Sequence, residues 1–560
     1  RLPYVITPEG GKAHIRVIGR GSSGRTTAIE AIIAGACRAY SPAFCSFYLV
    51  DYAGAKLGEM EQMPNVGGYA RKSDTDKVSR LIGETFRLID IREREFGKRA
   101  GVVSLDQYFA SRAADPVEDD PYGHYFLVID GFPSYVDENP EVKETFLRLL
   151  NDGGRLGVHL VVSGESQNRI PLKLNDFFGT TVQLAVEDPA ASLGYDQRQK
   201  ALLRAIPAQQ PGRCVDVERS LAARVVIPMF DPVQPVGEEE GNPVYDPHAD
   251  YSAGIQRFVS AMQQLHVDGQ GEVIRAPRVD PAPPVIDYSV AWDVYDRHRV
   301  QTCQRKLGHA PAPAEFAEWW SGQRPIDKHL PIGVSTEDLR IVTIPDMTSP
   351  HLVAVGEPKS GRTSLLRSII NSIALQFTPE QAQIVILETK YEFLTEQEEL
   401  AKRGYLMGYS SDKTTSSEIV AKVKTEIERR NPSMDQQLTA AMIRDRSWYS
   451  GPEIFVLVDG VQAFGGSTAM FGQENPIDPI AGLVEGRNDL GLHVYITGPA
   501  QGFATTRMSS RIYKALSGAQ SATLLLSGPV AEGTLWPGTG IKFAPRRPGQ
   551  AMLVDAETMV

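Results

Sequence analysis

The chain has 560 residues, of which 42% are hydrophobic and 23% charged, and its formal net charge is −11. This length predicts more than one domain, and the composition excludes a disordered or collagen-like chain. The acidic balance argues against a surface for duplex nucleic acid, because such surfaces cluster lysine and arginine. Since no apolar run approaches the length of a membrane helix, we expect neither a membrane span nor a signal peptide in this sequence.

Four cysteines, Cys37, Cys45, Cys214 and Cys303, are too far apart in the sequence for a CxxC metal pair. They are typical of free thiols in a reducing compartment, so we expect a cytoplasmic location. The sequence starts at Arg1 rather than at methionine. This start predicts a longer protein that continues on the N-terminal side.

The sequence contains an internal repeat. Residues 14–27 align with residues 351–364, which lie 337 positions later, and both segments hold a glycine-rich loop. Further matched pairs are Asp51 with Glu388, Pro211-Gly212 with Pro548-Gly549, and the Leu-Gly-x-His segments that begin at Leu156 and Leu490. The repeat indicates a duplicated domain rather than a solenoid.

Taken in chain order, each copy reads as a strand, the glycine loop and a helix, followed by three more strands separated by helices. The helices after the two loops are predicted at residues 26–40 and 364–377. Short apolar runs suit fully buried parallel strands. These runs are residues 126–129, 160–163, 455–458 and 494–497. Strands that alternate with helices predict an α/β fold, with helices on both faces of a mainly parallel sheet.

The repeat predicts two domains at residues 1–245 and 330–560, joined by a proline-rich, partly helical linker at residues 246–329. A linker of this length is too long for a plain loop, so we expect part of it to pack on the domains. The second copy has a longer opening segment before its glycine loop than the first copy has. We therefore expect the opening strand of the first domain upstream of residue 1.

A glycine-rich loop of the pattern G-x-x-x-x-G-R-T follows the first strand of each copy. Its glycines let backbone N–H groups surround phosphate oxygens, and the next helix adds the positive end of its dipole. The candidate ATP-binding residues are Gly19, Arg20, Gly21, Ser22, Ser23, Gly24, Arg25, Thr26 and Thr27 in the first copy, and Gly356, Glu357, Pro358, Lys359, Ser360, Gly361, Arg362, Thr363 and Ser364 in the second. The alternative is a glycine turn between strand and helix that binds nothing.

Arg25 and Arg362 stand where loops of this kind usually carry lysine. Lysine is a compact point charge, whereas the guanidinium group is longer and planar. We therefore expect ATP to bind with a poorer geometry for its hydrolysis. In the second loop, Glu357 adds a negative charge among the phosphate-binding residues, so we expect weaker binding there.

Two apolar strands end in an aspartate, Asp130 in the first copy and Asp459 in the second. Together with the hydroxyl groups of Thr26 and Thr363, these carboxylates are the candidate magnesium ligands. An aspartate in this place is typical of P-loop NTPases, where it orients the ion and its waters. The alternative is that each aspartate only caps its strand.

The usual group that activates water for hydrolysis is missing from both copies. Hydrolytic enzymes of this type place a glutamate after the strand aspartate, and this sequence has Gly131 and Gly460 there. The polar position after the next strand is Glu165 in the first copy and Pro499 in the second. We therefore predict no catalytic residue, with Glu165 as an alternative base in the first copy. Together the motifs predict two tandem P-loop NTPase domains, with weak or absent ATP hydrolysis.

Other residues allow both a functional and a structural interpretation. Histidines recur at strand starts without convergent carboxylates or cysteines, which favours hydrogen-bonded histidines over a metal site. They are His14, His159, His351 and His493. Arg155 and Arg487 are either arginine fingers for a neighbouring subunit or solvated side chains, and the second interpretation is favoured. Trp319, Trp320, Tyr449 and Phe455 are expected in packing.

With these motifs, the chain resembles the second and third ATPase modules of EccC. EccC is the FtsK/SpoIIIE-type motor of type VII (ESX) secretion in mycobacteria and other actinobacteria. The resemblance covers essentially all 560 residues, and residues 120–132 are particularly similar.

The resemblance implies that the two P-loop NTPase domains are RecA/FtsK-like, with mainly parallel sheets flanked by helices. It implies that both modules bind ATP and Mg²⁺ at degenerate sites and regulate the motor. It implies that the last module docks the C-terminal signal of secreted helical-hairpin (WXG100-type) proteins. Other partners would be further subunits of the secretion complex or an upstream ATPase module, with oligomerisation in the active state. The expected place is the cytoplasmic side of the cell membrane, within a membrane-anchored complex.

Two other functions compete with a regulatory and substrate-recruiting role. The first is an FtsK-like DNA translocase, against which the acidic balance and the missing glutamates argue. The second is a scaffold that works without ATP and keeps vestigial loops. We expect no nucleic-acid partner.

Overall fold

The apolar runs predicted as strands form the centres of two sheets in a computed structural model of the protein. The structure describes residues 10–555, except for residues 55, 100, 118, 141, 190–194, 208–209, 218, 230–236, 240–241, 245–250, 284, 345–349, 433–437, 465–474, 487–488 and 537–538. The chain divides into two compact units. The first unit contains residues 1–283 and 336–339, and the second contains residues 284–335 and 340–560.

The first unit contains an eight-stranded sheet in the order β3-β2-β4-β5-β1-β6-β7-β8. Its strands are β1 (Ile15–Ile18), β2 (Cys45–Asp51), β3 (Val66–Arg71), β4 (His124–Asp130), β5 (Val158–Gly164), β6 (Thr180–Leu184), β7 (Arg213–Asp216) and β8 (Leu221–Arg224), with a separate hairpin of β9 (Gly237–Glu239) and β10 (Asn242–Val244). Its helices are α1 (Arg25–Ala39), α2 (Thr75–Lys98), α3 (Leu105–Ala114), α4 (Phe132–Glu138), α5 (Val142–Asp152), α6 (Leu172–Asn175), α7 (Gln197–Arg204) and α8 (Tyr251–Leu265). The first six strands of this order are parallel, and β7 and β8 are antiparallel.

The second unit contains a seven-stranded sheet in the order β15-β14-β16-β17-β13-β18-β19, in which only β19 is antiparallel. Its helices are α9 (Tyr288–Leu307), α10 (Pro313–Ser321), α11 (Arg362–Gln376), α12 (Leu394–Lys402), α13 (Lys413–Glu428), α14 (Ala440–Asp445), α15 (Asp478–Gly486), α16 (Phe503–Ser509) and α17 (Arg511–Gly518). Its strands are β11 (Pro331–Val334) and β12 (Ile341–Thr343), which pair with each other, and β13 (Leu352–Gly356), β14 (Ala382–Leu387), β15 (Leu406–Ser410), β16 (Glu453–Val458), β17 (Leu492–Pro499), β18 (Ala522–Leu525) and β19 (Met552–Val554).

Each sheet has a hydrophobic core on both of its faces. Strands β4 and β16 are buried along almost their whole length, because helices cover them on both sides. This burial explains why the strands read as continuous apolar runs rather than as alternating ones. The predicted fold class is confirmed.

The predicted linker residues are divided between the units. Helix α8 lies in the first unit, where Ile255, Phe258 and Met262 are buried in the core. Helices α9 and α10 lie in the second unit. All four cysteines are buried and free.

Candidate nucleotide sites

The first glycine-rich loop lies between β1 and α1, at the carboxyl ends of the central parallel strands. The N–H of Gly19 donates to the carbonyl oxygen of Gly164 at 3.0 Å, and the N–H of Arg20 donates to that of Ala185 at 2.7 Å. These bonds tie the loop to the strands on either side of β1. Gly24 adopts a left-handed conformation, with φ of 98°, and directly precedes α1.

The second loop repeats this arrangement between β13 and α11. The N–H of Glu357 donates to the carbonyl oxygen of Ser527 at 2.8 Å, and the carbonyl oxygen of Gly356 accepts from the N–H of Ala500 at 3.1 Å. Gly361 has φ of 110° and directly precedes α11. The duplicated sequence therefore builds the same strand–loop–helix geometry twice.

The interior of each loop fits a phosphate ligand. A Cβ atom on Gly19 would collide with the hydroxyl oxygen of Ser23, and one on Gly356 would collide with that of Ser360. The hydroxyl groups of Ser23 and Ser360 are buried, and neither has a hydrogen-bond partner within the described part of the chain. Buried polar groups usually have partners, so two orphaned hydroxyls at equivalent places indicate a polar ligand.

The structure brings the candidate magnesium ligands together in both units. The hydroxyl group of Thr26 donates to Asp130 Oδ2 at 2.6 Å, and that of Thr363 donates to Asp459 Oδ2 at 2.9 Å. Oxygen ligands of this kind suit Mg²⁺. When bound with the nucleotide, the ion would supply positive charge next to the phosphates, and these residues would hold it.

Asp130 is fully buried at the end of β4. Burial raises the pKa of its carboxyl group, and the nearby carboxylate of Asp51 acts in the same direction. Hydrogen bonds from Ser163 and Thr26, and the charge of Arg25, oppose this rise. A cation at the site would favour the ionised carboxylate, and it would therefore counteract the effect of burial on the pKa of Asp130.

Two functional residues were missed by sequence reasoning. The hydroxyl group of Ser163 donates to Asp130 Oδ1 and accepts from the N–H of Gly131. In the second unit, Thr497 donates to Asp459 Oδ1 at 2.5 Å and accepts from the N–H of Gly460 at 2.9 Å. Each aspartate is thus held between two hydroxyl groups.

The residues predicted for the polar position of this strand, Glu165 and Pro499, lie two residues further along the chain. Glu165 is exposed and lines a cavity of about 450 Å³, together with Arg20 and Gly21 of the loop. A usable signal was present in the sequence, because Ser163 follows the histidine of its Leu-Gly-x-His segment by four residues, as Thr497 does.

The remaining loop residues differ between the units. Arg25 and Arg362 are the first residues of α1 and α11, and both are half-buried. Glu357 is exposed, and its carboxylate accepts a hydrogen bond from the hydroxyl group of Ser527 at 3.0 Å. Arg20 stands at the equivalent position of the first loop. The second residue of the loop therefore carries opposite charges in the two units.

Two acids of the repeat have a structural role. Asp51 accepts hydrogen bonds from the N–H groups of Ala53, Gly54 and Leu57, and so fixes the turn after β2. Glu388 accepts from the N–H groups of residues 392 and 393 after β14. Neither acid needs a ligand to satisfy its oxygens.

The histidines of the repeat hydrogen-bond to the backbone. His14 Nε2 lies 3.1 Å from the carbonyl oxygen of Leu150, and burial lowers the pKa of this histidine to about 4. His159 Nδ1 lies 2.9 Å from the carbonyl oxygen of Ala13. Among the described residues, no group of three or more His, Cys, Asp or Glu side chains is placed to hold a metal ion.

Arg155 is exposed and lies over the ring of Phe96, with 5.9 Å from the guanidinium carbon to the ring centre. Arg487 lies outside the described residues. Trp320 packs against Arg299 in the second unit, and Phe455 stacks on His493 within the sheet.

A sequence model of the FtsK/SpoIIIE family matches residues 2–222 and 314–497. The chain belongs to the FtsK/SpoIIIE family. Among its FtsK/SpoIIIE relatives is the ESX-1 secretion system protein EccCb1 of Mycolicibacterium smegmatis, which is 27% identical over 99% of this chain and 84% of the relative. The ESX secretion system protein EccC of Thermomonospora curvata is 26% identical over 96% of this chain but only 36% of the relative.

Solved structures agree with this assignment. The structure of Thermomonospora curvata EccC (ATPases 2 and 3) in complex with a signal sequence peptide has a TM-score of 0.74 and 25% identity. The match covers 98% of this chain and 87% of that structure. The predicted resemblance to the second and third modules of EccC is confirmed. Membership of this P-loop ATPase family implies a nucleotide ligand, usually with Mg²⁺.

None of the helices in the described part of this FtsK/SpoIIIE chain has both the length and the apolar character needed to span a bilayer.

Proposed function

We propose that the chain is a pair of nucleotide-binding modules, residues 1–245 and 330–560, that regulate a type VII secretion motor and recruit its substrates. The modules bind ATP with Mg²⁺ and hydrolyse it weakly or not at all. The observation that carries this proposal is the matched arrangement of loop, threonine and aspartate in both units, beside a glycine where a base is needed.

Weak hydrolysis follows from the groups around each aspartate. Gly131 and Gly460 have no side chain to polarise a water molecule. The hydroxyl groups of Ser163 and Thr497 donate to the aspartates, so they stabilise the carboxylates and do not act as bases. A general base must lie within hydrogen-bond reach of the proton that it takes, about 3 Å.

Substrate docking is supported by a difference between the units at one edge of the sheet. Edge strands β3 and β15 each contain a bulge at the same place in the repeat. The extra residue is Gly67 in the first unit and Met407 in the second. The two residues therefore mark equivalent positions on the two sheets.

In the first unit, an extended stretch of the connecting segment covers this bulge. The N–H of Val279 donates to the carbonyl oxygen of Gly67 at 3.0 Å, and the hydroxyl group of Tyr48 donates to that of Pro277 at 2.8 Å. A Cβ atom on Gly67 would collide with the carbonyl oxygen of Pro277, so this close approach requires glycine. The first unit thus shows how an extended peptide occupies this edge.

In the second unit, the equivalent edge borders an open groove of about 690 Å³. The groove is lined by Met407 of β15, Ile454 of β16, and Ala421 and Lys422 of α13. Methionine adapts its shape to different apolar partners. The exposed ammonium group of Lys422 would attract the carboxylate of a C-terminal peptide. Glu426 also lines the groove, and its carboxylate is paired with Arg429 at 2.9 Å. We propose that the second module docks the C-terminal signal of secreted helical-hairpin (WXG100-type) proteins in this groove.

The test is to titrate the whole chain with a peptide that carries the C-terminal signal of a WXG100 protein. Micromolar affinity, about −8 kcal/mol, is within reach of a few buried apolar side chains. Met407→Glu is expected to weaken binding at least about tenfold, because it places a charge in the apolar groove. Met508→Glu is the matched control, since Met508 lies on α16 and is 64% exposed. Equal affinity of the wild type and Met407→Glu would reject the groove.

We further propose that the chain acts on the cytoplasmic side of the cell membrane, within a membrane-anchored complex, and oligomerises when active. Its partners there would be other subunits or an upstream ATPase module. The names of its relatives as secretion system proteins support this place. Co-purification of the chain with membranes that contain the other secretion components is the corresponding measurement.

A DNA translocase is the competing function, because motors of that kind belong to the same family. The net charge of −11 argues against it. Filter binding with duplex DNA across a salt series separates the two functions. Tight binding that weakens steeply with salt, as expected for about six phosphate contacts or more, would favour the translocase.

A further inference from the structure

A turn from a distant part of the chain contacts each phosphate loop. The N–H of Gly212 donates to the carbonyl oxygen of Ser23 at 2.9 Å, and the N–H of Gly549 donates to that of Ser360 at 2.9 Å. Gly212 directly precedes β7, and Gly549 lies before β19. The Pro-Gly pairs that repeat in the sequence are therefore part of the surroundings of the loops.

This contact sets the direction of one loop amide. The C=O and N–H groups of a planar trans peptide point in opposite directions. Because Gly212 holds the carbonyl oxygen of Ser23, the N–H of Gly24 points away from Gly212. In the described part of the chain, the N–H groups of Gly24 and Gly361 donate to no acceptor. These amides are free to donate to an anion.

The contact requires glycine on both sides. A Cβ atom on Gly24 would lie 3.1 Å from the backbone nitrogen of Gly212, and one on Gly361 would lie 3.1 Å from that of Gly549. Gly212 and Gly549 themselves have φ of 77° and 83°, in the region that favours glycine. Glycine is therefore favoured at Gly24 and Gly361 by the short distance, and at Gly212 and Gly549 by the positive φ.

We propose that Gly212 and Gly549 are positioning residues for nucleotide binding. Each holds one peptide of its phosphate loop so that the amide of Gly24 or Gly361 faces the triphosphate. Ser23 and Ser360, whose carbonyl oxygens accept these bonds, also carry the buried hydroxyl groups without a partner in the described part of the chain. These hydroxyl groups are independent support for a ligand at this place. This inference rests on the proposed binding of ATP.

The test uses a graded series at Gly212 in the whole chain, with the second loop disabled by Arg362→Glu. Asparagine tolerates a positive φ and keeps the N–H in place, alanine tolerates it less well, and valine excludes it. Titration with a fluorescent ATP analogue and Mg²⁺ measures the affinity. We expect Gly212→Asn to bind within about threefold of its parent, Gly212→Ala to be weaker, and Gly212→Val to lose at least about tenfold.

Gly271→Val is the control for backbone strain. Gly271 has φ of 84°, close to the 77° of Gly212, and no other atom lies within 4 Å of its Cβ position, so valine there also faces a positive φ but touches no phosphate loop. We expect its affinity for the analogue to match that of the parent. An equal loss in Gly271→Val, or parental affinity in a folded Gly212→Val, would overturn the inference.

If Gly212→Val does not fold, the comparison of Gly212→Asn with Gly212→Ala decides, and equal affinities would overturn the inference. Binding by the parent with no dependence on residue 212 would leave the proposed function standing. Failure of the parent to bind the analogue would instead overturn the proposed function, and this inference with it.

Discussion

Arg92 and Arg430 make the same contact in the two units. Nη1 of Arg92 donates to the carbonyl oxygen of Leu156 at 2.7 Å, and Nη1 of Arg430 donates to that of Leu490 at 2.8 Å. Both arginines are among the largest fully buried side chains of the protein. Leu156 and Leu490 open the Leu-Gly-x-His segments, so these segments anchor a buried arginine in each unit.

The first prediction concerns the stability that Arg92 contributes. Its guanidinium group contacts the buried carboxylate of Asp120 at 2.8 Å. Arg92→Leu is expected to lower the free energy of unfolding of the first unit by about 3 kcal/mol, because it removes the buried member of the two arginines that pair with Asp120, together with the donor to the carbonyl oxygen of Leu156. Arg112 still contacts Asp120 Oδ1 at 2.9 Å. Urea denaturation measures this change. Arg94→Leu, on the same helix but half exposed, is expected to change it by no more than about 0.5 kcal/mol. Similar losses in both variants would contradict the prediction.

The second prediction concerns the glycine of the second Leu-Gly-x-His segment. Gly491 has φ of 71°, and a Cβ atom there would lie 2.8 Å from Nη1 of Arg430 and 2.9 Å from the hydroxyl oxygen of Tyr449. Gly502 has φ of 73° and ψ of 9°, in the left-handed region, with no atom within 4 Å of its Cβ position, which makes it the control. Gly502→Ala is expected to cost about 1 kcal/mol of unfolding free energy, and Gly491→Ala about 3 kcal/mol or more. Thermal unfolding of the two variants that shows equal losses would argue against the steric explanation.

The third prediction concerns ATP hydrolysis. Because the base position after each aspartate is a glycine, steady-state turnover of ATP by the purified chain is expected below about 1 s⁻¹. A coupled phosphate-release assay at saturating ATP and Mg²⁺ measures the rate. Asp130→Ala is the control for turnover at the first site. Faster turnover that Asp130→Ala abolishes would show that the first site is a working ATPase.

The fourth prediction concerns the pH dependence of stability. Burial raises the pKa of Glu30 from 4.5 to about 7, although the hydroxyl group of Tyr251 and the charge of Lys56 act in the opposite direction. Between these two values the folded chain holds a proton on Glu30 that the unfolded chain has lost. The protonated Glu30 therefore makes its full contribution to stability below about pH 4.5, and this contribution is lost as the pH rises to about 7.

Glu30→Gln keeps an acceptor for Tyr251 and removes the titration. Melting temperatures of the variant from pH 5 to about 8 are expected to fall less steeply with pH than those of the wild type. Parallel curves for the two proteins would refute the role of Glu30.

The sequence predicted the parts of the site that are local along the chain. The two loops follow from glycines at fixed spacing, and Asp130 and Asp459 follow from their places at the ends of apolar strands. Ser163 and Thr497 were missed because their role depends on the pairing of β4 with β5 and of β16 with β17. Within one copy no local pattern reveals such a contact between strands, and only the comparison of the two copies shows a hydroxyl residue four positions after each histidine.

The same limit applies to the fold. Strand β3 was not predicted, because Gly67 and Gly68 lower its strand propensity and its residues become a strand only by pairing with β2. Arg92 would be expected on the surface of a charged helix, and only the tertiary structure shows that it is buried. The hydrogen bond from Gly212 to Ser23 joins residues almost 190 positions apart, so the Pro-Gly repeat alone did not reveal that Gly212 contacts the phosphate loop.

The burial of all four cysteines has a practical consequence. Thiol-specific dyes react with accessible thiolates, and burial raises the pKa of Cys45 and Cys214 to about 11. The native thiols should therefore remain unlabelled in the folded chain. A cysteine introduced at position 508 would then carry a single fluorophore, and conformational changes on peptide or nucleotide addition become measurable by fluorescence without removing any natural cysteine.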